Sequence, residues 1–207
     1  TAMVQKLHKS RRLRSLALEK VPMPVPRLIS ALQHKNASLS ELCLKRMDLT
    51  EGQRNDLING LADCKTLLKI KLEDLSLNEH HGHPIAAMLA RNAHVQELSL
   101  ARNQLNGEAI ETIVHQGLSC NTTLQALDLS HNAIGDEGIL CLTEALKSIT
   151  TLKTLSLMRC GMSSLGCEEL ARGIAHFPTV QCLRLDGNGI EEYAEILKDS
   201  LAGDQTV

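Results

Sequence analysis

One pattern recurs about every 28 residues along this chain, and it decides what kind of fold is available. The stretches VQELSLARNQL from Val95, LQALDLSHNAI from Leu124, LKTLSLMRCGM from Leu152 and VQCLRLDGNGI from Val180 share one template, LxxLxLxx(N/C)xL, where L is any aliphatic residue. Weaker copies start at Leu13 (LRSLALEKVPM), Leu39 (LSELCLKRMDL) and Leu67 (LLKIKLEDLSL). Successive starts are 26, 28, 28, 29, 28 and 28 residues apart. Units that keep register in this way form a stack, each burying its apolar side against the next. The 207 residues are therefore expected to make a single solenoid domain, 1–207, of about seven repeats.

Within a unit the apolar period changes. Leu127 and Leu129 alternate with the polar Asp128, the period-two signature of a short strand with one buried face. The aliphatic residue two places past the N/C position, Leu105 or Ile134, turns the chain inward. The second half has helical spacing: Ile139, Leu142 and Leu146 stand at i, i+3 and i+7, and Cys167, Leu170 and Ile174 repeat that offset. Asp136 and Ser163 are placed to start helices. Paired strands sit about 4.8 Å apart, whereas packed helices need about 8–10 Å. A stack with strands on one side and helices on the other must bend. The expected fold is α/β, a horseshoe with a parallel β-sheet on its concave face and helices on its convex face.

These units resemble leucine-rich repeats of the ribonuclease-inhibitor type over essentially the whole chain. That family includes ribonuclease inhibitor, NOD-like receptors, Ran GTPase-activating proteins and several axonemal and cytoskeletal proteins. The resemblance implies that an Asn in the N/C column satisfies backbone groups in the buried turn and links neighbouring units. The column here reads Val21, Met47, Leu75, Asn103, Asn132, Cys160 and Asn188. A thiol can do this weakly and Val, Met and Leu cannot, so the first three units are expected to lack the ladder and to be softer. The proline-rich VPMPVP at 21–26 is expected to be an extended loop. TAMVQKLHKSRR reads as the tail of an earlier helix and EEYAEILKDSL as a polar closing helix, so the chain is expected to belong to a longer protein.

Composition narrows the function. A net charge of −2 and a pI near 6.5 argue against nucleic acid. One Tyr, one Phe and no Trp leave almost no stacking platform for bases or sugars. No apolar run is long enough to span a membrane, and the first residues do not read as a signal peptide. Seven cysteines with no CxxC pair fit reduced thiols in a cytoplasmic protein, with association to the cytoskeleton as a further expectation. Cys64, Cys141 and Cys167 read as helix packing residues, while Cys43 and Cys182 should point off the concave face. The motifs GxSxG, GxxxxGK[ST], HExxH and GxGxxG do not occur, so no catalytic residue and no cofactor is expected. His80-His81-Gly82-His83 gathers metal-ligand types, but a zinc site needs three or four convergent ligands. The segment is read as a solvated loop, without metal.

The concave face is the place to look for a site. Counted from each unit's start, the +7 column reads Lys20, Arg46, Asp74, Arg102, His131, Arg159 and Gly187. The +6 column reads Glu19, Lys45, Glu73, Ala101, Ser130, Met158 and Asp186. The second unit is doubly basic and the third doubly acidic, so those neighbours can pair. In units four to six the +6 residues are neutral, and Asp128 at +4 is the nearest counter-charge to Arg102, His131 and Arg159. This trio, with Met158 as an apolar contact and Asp128 beside it, is the candidate site for a protein partner bearing an acidic segment. The expected function is a non-enzymatic scaffold for protein–protein interaction with no small-molecule substrate. Regulation of a small GTPase, or a structural place in a cytoskeletal or axonemal assembly, are the alternatives.

Overall fold

The aliphatic pair at +3 and +5 fixes the sheet. From the second unit to the sixth this pair is Leu42/Leu44, Ile70/Leu72, Leu98/Leu100, Leu127/Leu129 and Leu155/Leu157, all buried. The computed structural model describes residues 12–34 and 37–189. Its seven strands are β1 (Ser15–Glu19), β2 (Glu41–Lys45), β3 (Lys69–Glu73), β4 (Glu97–Ser99), β5 (Ala126–Asp128), β6 (Thr154–Ser156) and β7 (Cys182–Arg184). They form one parallel sheet in chain order. The register aligns Ser15, Glu41, Lys69, Glu97, Ala126, Thr154 and Cys182, all at +2. Structural register and repeat spacing therefore coincide, including across the 26- and 29-residue steps.

Six helices back the sheet: α1 (Val25–Leu32), α2 (Glu51–Leu61), α3 (Gly82–Arg91), α4 (Gly107–Gln116), α5 (Gly135–Leu146) and α6 (Ser164–Ile174). The core lies between the two layers, where Ile139, Leu142 and Leu146 of α5 and Cys167 and Leu170 of α6 are buried. The chain is thus an α/β solenoid with strands lining the concave side and helices the convex side. The first residues (1–11) and the segment EEYAEILKDSL lie outside the described residues.

The asparagine ladder reaches further toward the N-terminus than its column suggests. The Asn103 amide accepts from Leu75 N (3.0 Å) and Leu77 N (3.1 Å) and donates to Leu72 O and Leu100 O (both 2.8 Å). Asn132 accepts from Leu105 N (3.1 Å) and donates to Leu100 O (3.0 Å) and Leu129 O (2.8 Å). Asn188 serves Cys160 N (2.7 Å) and Leu157 O (2.7 Å). Each amide reaches back and satisfies the turn of the preceding unit, so the third unit is held by Asn103 although its own column residue is Leu75. Only the first two units lack the ladder. A second ladder runs where the chain leaves each helix: Asn92 donates to Leu61 O (2.9 Å) and Cys64 O (3.1 Å), and Asn121 to Leu89 O (2.7 Å) and Asn92 O (3.0 Å). Cys64 lies in this turn just past α2 and not on a helix.

Helix starts differ from expectation at two places. Ser163 caps α6, accepting from Leu165 N at 3.2 Å. Asp136 does not cap α5, which begins at Gly135 without a side-chain cap. Its carboxylate crosses to the next unit and accepts from Ser163 N (2.8 Å), Ser163 Oγ (2.6 Å) and Gly166 N (3.1 Å) at the start of α6. Gly166 makes this approach possible, because a Cβ there would stand 2.5 Å from Asp136 Oδ1. The VPMPVP loop ends sooner than its prolines suggest. Pro24 is the N-cap residue of α1 and Pro26 sits in its first turn, where a missing N–H costs nothing.

Two outcomes follow from these connections. Asn103→Ala should accelerate hydrogen exchange at Leu75 and Leu77, in the unit before the substitution; acceleration confined to 100–105 would contradict a backward-reaching ladder. Asp136→Ala should cost about 1–2 kcal/mol at pH 7 through the lost cap. Burial raises the Asp136 carboxyl pKa, but its hydrogen bonds from Ser163 and Gly166 outweigh this and leave it below the ordinary value. Its stabilising contribution is therefore complete above the ordinary carboxylate range and is lost as pH falls through the lowered value. Urea melts of wild type and variant from pH 7 to pH 3 should converge; a gap that stays constant would exclude the charged cap.

Candidate partner-binding surface

Each strand ends in a residue with a left-handed backbone. Lys20, Arg46, Asp74, Arg102, His131 and Arg159 have φ between 51° and 60°, and Gly187 has φ 75°. The backbone N–H of this +7 residue still donates to the +6 carbonyl of the next unit: Arg102 N to Ser130 O (2.9 Å), His131 N to Met158 O (2.7 Å) and Arg159 N to Asp186 O (2.9 Å). The ladder so extended holds the column in line while the reversed φ swings the chain inward. An L-residue costs about 1–2 kcal/mol in this conformation, so a side chain here is retained at the expense of stability. The column lies on the rim of the sheet, beyond the strand ends, and not on the strand faces where the sequence suggested it.

The N-terminal half of the rim and strand face is neutralised. Arg46 lies between Glu19 (3.1 Å) and Asp74 (2.9 Å), Lys69 pairs with Glu97 (2.9 Å), and Lys45 lies 3.9 Å from Glu73. The other half is different. Arg102 and Arg159 are exposed, His131 is half-buried between them in the column, and none of the three forms an ion pair among the described residues. Burial, and next the positive charges of Arg102 and Arg159, lower the His131 pKa, with Asp128 opposing. Asp128 turns toward its own turn, accepting from Ser130 N at 3.0 Å. Met158 is half-buried and its N–H donates to Ser130 Oγ at 3.2 Å. Arg159 lies over the backbone of the seventh unit, where a Cβ on Gly187 would come within 2.7 Å of its Cγ.

The five candidate residues are thus not all in one place. Arg102, His131 and Arg159 line the rim with Met158 behind them. Asp128 instead lines a shallow groove of about 180 Å³ on the strand face, with Lys71, Glu97 and Arg184 among its other walls. Lys71 and Arg184 occupy the same +4 column as Asp128 and were legible there, but the column's charges alternate with Ala17, Cys43, Ser99 and Ser156 and form no run. Cys43 is half-buried and Cys182 exposed, as their outward strand positions require.

The three histidines of 80–83 diverge. His80 is exposed, with Nε2 3.7 Å from Glu79; His83 Nδ1 lies 3.1 Å from Gln116 Oε1. His81 is fully buried and not solvated, its Nδ1 accepting from Asn78 N at 3.1 Å. Among the described residues no group of three His, Cys, Asp or Glu side chains is arranged to hold a metal. Burial raises the Cys160 thiol to about 11 and Cys64 to about 12, away from nucleophilic chemistry.

A family model described as Leucine Rich repeat matches residues 91–114, 120–142 and 148–171. The chain is a leucine-rich repeat protein of the ribonuclease-inhibitor type. It is 31% identical over 196 residues to a ribonuclease inhibitor of Sus scrofa, covering 79% of this chain and 43% of that protein. It is 30% identical over 178 residues to NACHT, LRR and PYD domains-containing protein 13 of Homo sapiens, covering 84% of this chain and 17% of that one. The chain therefore spans less than half the length of either relative. Among solved structures, Leiomodin-1 Actin-Binding Site 2 superposes with a TM-score of 0.60 at 16% identity, over 76% of this chain and 93% of that one.

The left-handed column makes a stability ranking. Arg102→Gly should be neutral or stabilising by up to about 1 kcal/mol, because Gly accepts this backbone without strain. Arg102→Val should be destabilising by about 1–2 kcal/mol. Urea midpoints in the order Gly, Arg, Val are expected; a valine variant as stable as the glycine one would contradict the geometry.

Proposed function

We propose that this chain is a non-enzymatic protein-binding module that holds an acidic segment of a partner along the rim at Arg102, His131 and Arg159. The observation that carries this reading is the unpaired state of the trio, on adjacent turns of a surface whose other half is closed by internal ion pairs. Two guanidinium groups suit bidentate carboxylate recognition, the imidazole between them adds a donor, and Met158 offers the apolar part of the contact. Asp128, at the groove edge, repels a segment that slips inward. The relatives support the coarser part: one is by name an inhibitor of ribonucleases and one solved neighbour is titled an actin-binding site. Regulation of a small GTPase has no residue here to recommend it, and a likeness at 16% identity carries fold alone, so a cytoskeletal role is not part of the proposal. The seven free thiols fit a reducing, cytoplasmic setting, and no helix among the described residues is long and apolar enough to cross a membrane.

The test uses a fluorescent Asp/Glu-rich 12-residue peptide as probe. Arg102→Glu with Arg159→Glu should leave the fold intact by circular dichroism, both residues being exposed, and weaken binding more than tenfold. Wild-type affinity should fall with salt and should tighten as pH drops from 7.5 to 6, because His131 gains charge while the peptide carboxylates stay ionised. Unchanged binding by the double variant would remove the rim as the site.

A further inference from the structure

On the convex side, α4 and α5 enclose a groove of about 410 Å³ between their outward faces. One wall is Glu108, Glu111 and His115, spaced i, i+3 and i+7 along α4. The other is Glu137, Leu140 and Glu144 with the same spacing along α5, and Cys141 lies beside Leu140 with its Sγ 3.6 Å from His115 Nε2. Such a groove runs two helical turns, about 10 Å.

Leu140 is out of place for a solvated helix face. It is 45% exposed, and Leu165 at the start of α6 is 59% exposed; among the described helical residues these are the two large apolar side chains left open to solvent. At the position equivalent to Leu140, the neighbouring helices carry Glu111 and Glu168. The charges around it are equally unbalanced. Glu144 pairs with Lys147 (2.7 Å), but Glu108, Glu111 and Glu137 form no ion pair among the described residues. Glu108 and Glu137 sit in first helical turns, where the helix dipole favours them. Glu111 and Glu144 stand beyond that reach, and their neighbours across the groove are also acidic. Glu111 is close enough to add to the burial that raises the Cys141 thiol pKa. An apolar centre within an acidic rim, with no basic residue of the chain to close it, is the complement of one chemical pattern.

We propose that this groove docks a basic segment of a second protein, with one aliphatic side chain covering Leu140 and Cys141 and arginines or lysines three to four residues away on either side meeting Glu108, Glu111 and Glu137. Two helical turns of carboxylates at i, i+3 and i+7 match the spacing along a helical ligand. The chain then has opposite electrostatic preferences on its two sides, acidic ligands on the concave rim and basic ligands on the convex groove, and can bridge two partners at once. The groove shares no residue with the rim, so this inference stands or falls independently of the function proposed above.

The probe is a 15-residue alanine-based helical peptide with a leucine flanked at i−4 and i+4 by arginines. Titrated into 15N-labelled protein, it should shift the amides of α4 and α5 and leave β4 to β6 unmoved. Glu111→Lys with Glu137→Lys should weaken binding more than tenfold, and Leu140→Ser at least threefold, each with unchanged circular dichroism because all three side chains are surface groups. A peptide with alanine in place of its leucine should bind at least threefold more weakly than the parent. Four outcomes would overturn the proposal: equal binding of a peptide with glutamates in place of its arginines, equal binding of the alanine peptide or of spermidine (a site for any polycation), shifts confined to the concave face, or shifts on α4 and α5 that appear with protein concentration alone, which would make a second copy the occupant.

Discussion

Every strand of this sheet takes both its hydrogen-bonding partners from other repeats, and this dependence organises the molecule. A unit buries Leu127 and Leu129, or their equivalents, only because the units before and after it supply the rest of the core. The sheet register at +2 is the geometric record of that dependence. It tolerates unequal spacing between repeats because extra or missing residues fall outside the strands. It also explains why the inter-repeat connections are made by side chains of fixed reach. Asn103, Asn132 and Asn188 pair buried backbone groups that a short strand leaves over, and an unpaired group of that kind costs about 1–3 kcal/mol.

Much of this was legible in the sequence, and the rest was not for a definite reason. Alternation at Leu127 and Leu129 and the i, i+3, i+7 spacing at Ile139 report burial, which recurs in every unit, so strands, helices and the layered architecture could be read directly. Column membership does not report the direction in which a side chain reaches. Asp136 looked like the cap of its own helix and serves the next one; Asn103 looked like the first rung of the ladder and completes the unit before it. The second ladder was missed because Asn92 and Asn121 recur in too few units to make a column. The candidate site shows the same division. The identity of Arg102, His131 and Arg159 and their lack of a local counter-charge could be read from the repeat, but their seat on the rim could not, because a left-handed φ leaves no trace in residues other than glycine.

The distribution of charge separates structural from available groups. Across the first three units, cations and carboxylates face each other at 2.9 to 3.9 Å and largely cancel. Exposed pairs of this kind add about 0.2–1 kcal/mol each, so their main effect is to quiet that part of the surface. The later units leave cations on one side and carboxylates on the other without closing either. A chain with a net charge of −2 can thus present two strong local fields of opposite sign.

The backward reach of the asparagine amides gives the solenoid a polarity in time as well as in space. As the chain is synthesised, the turn of each unit stays incomplete until the next unit has emerged and folded far enough to donate its amide: Leu75 and Leu77 wait for Asn103, Leu105 for Asn132 and Cys160 for Asn188. A ribosome paused between two repeats therefore holds a chain whose last turn has unmet donors, whereas removal of a unit from the N-terminal side strips no such partner from what remains. Chain breaks at equivalent points should for this reason be far better tolerated on the N-terminal side of a unit than on its C-terminal side.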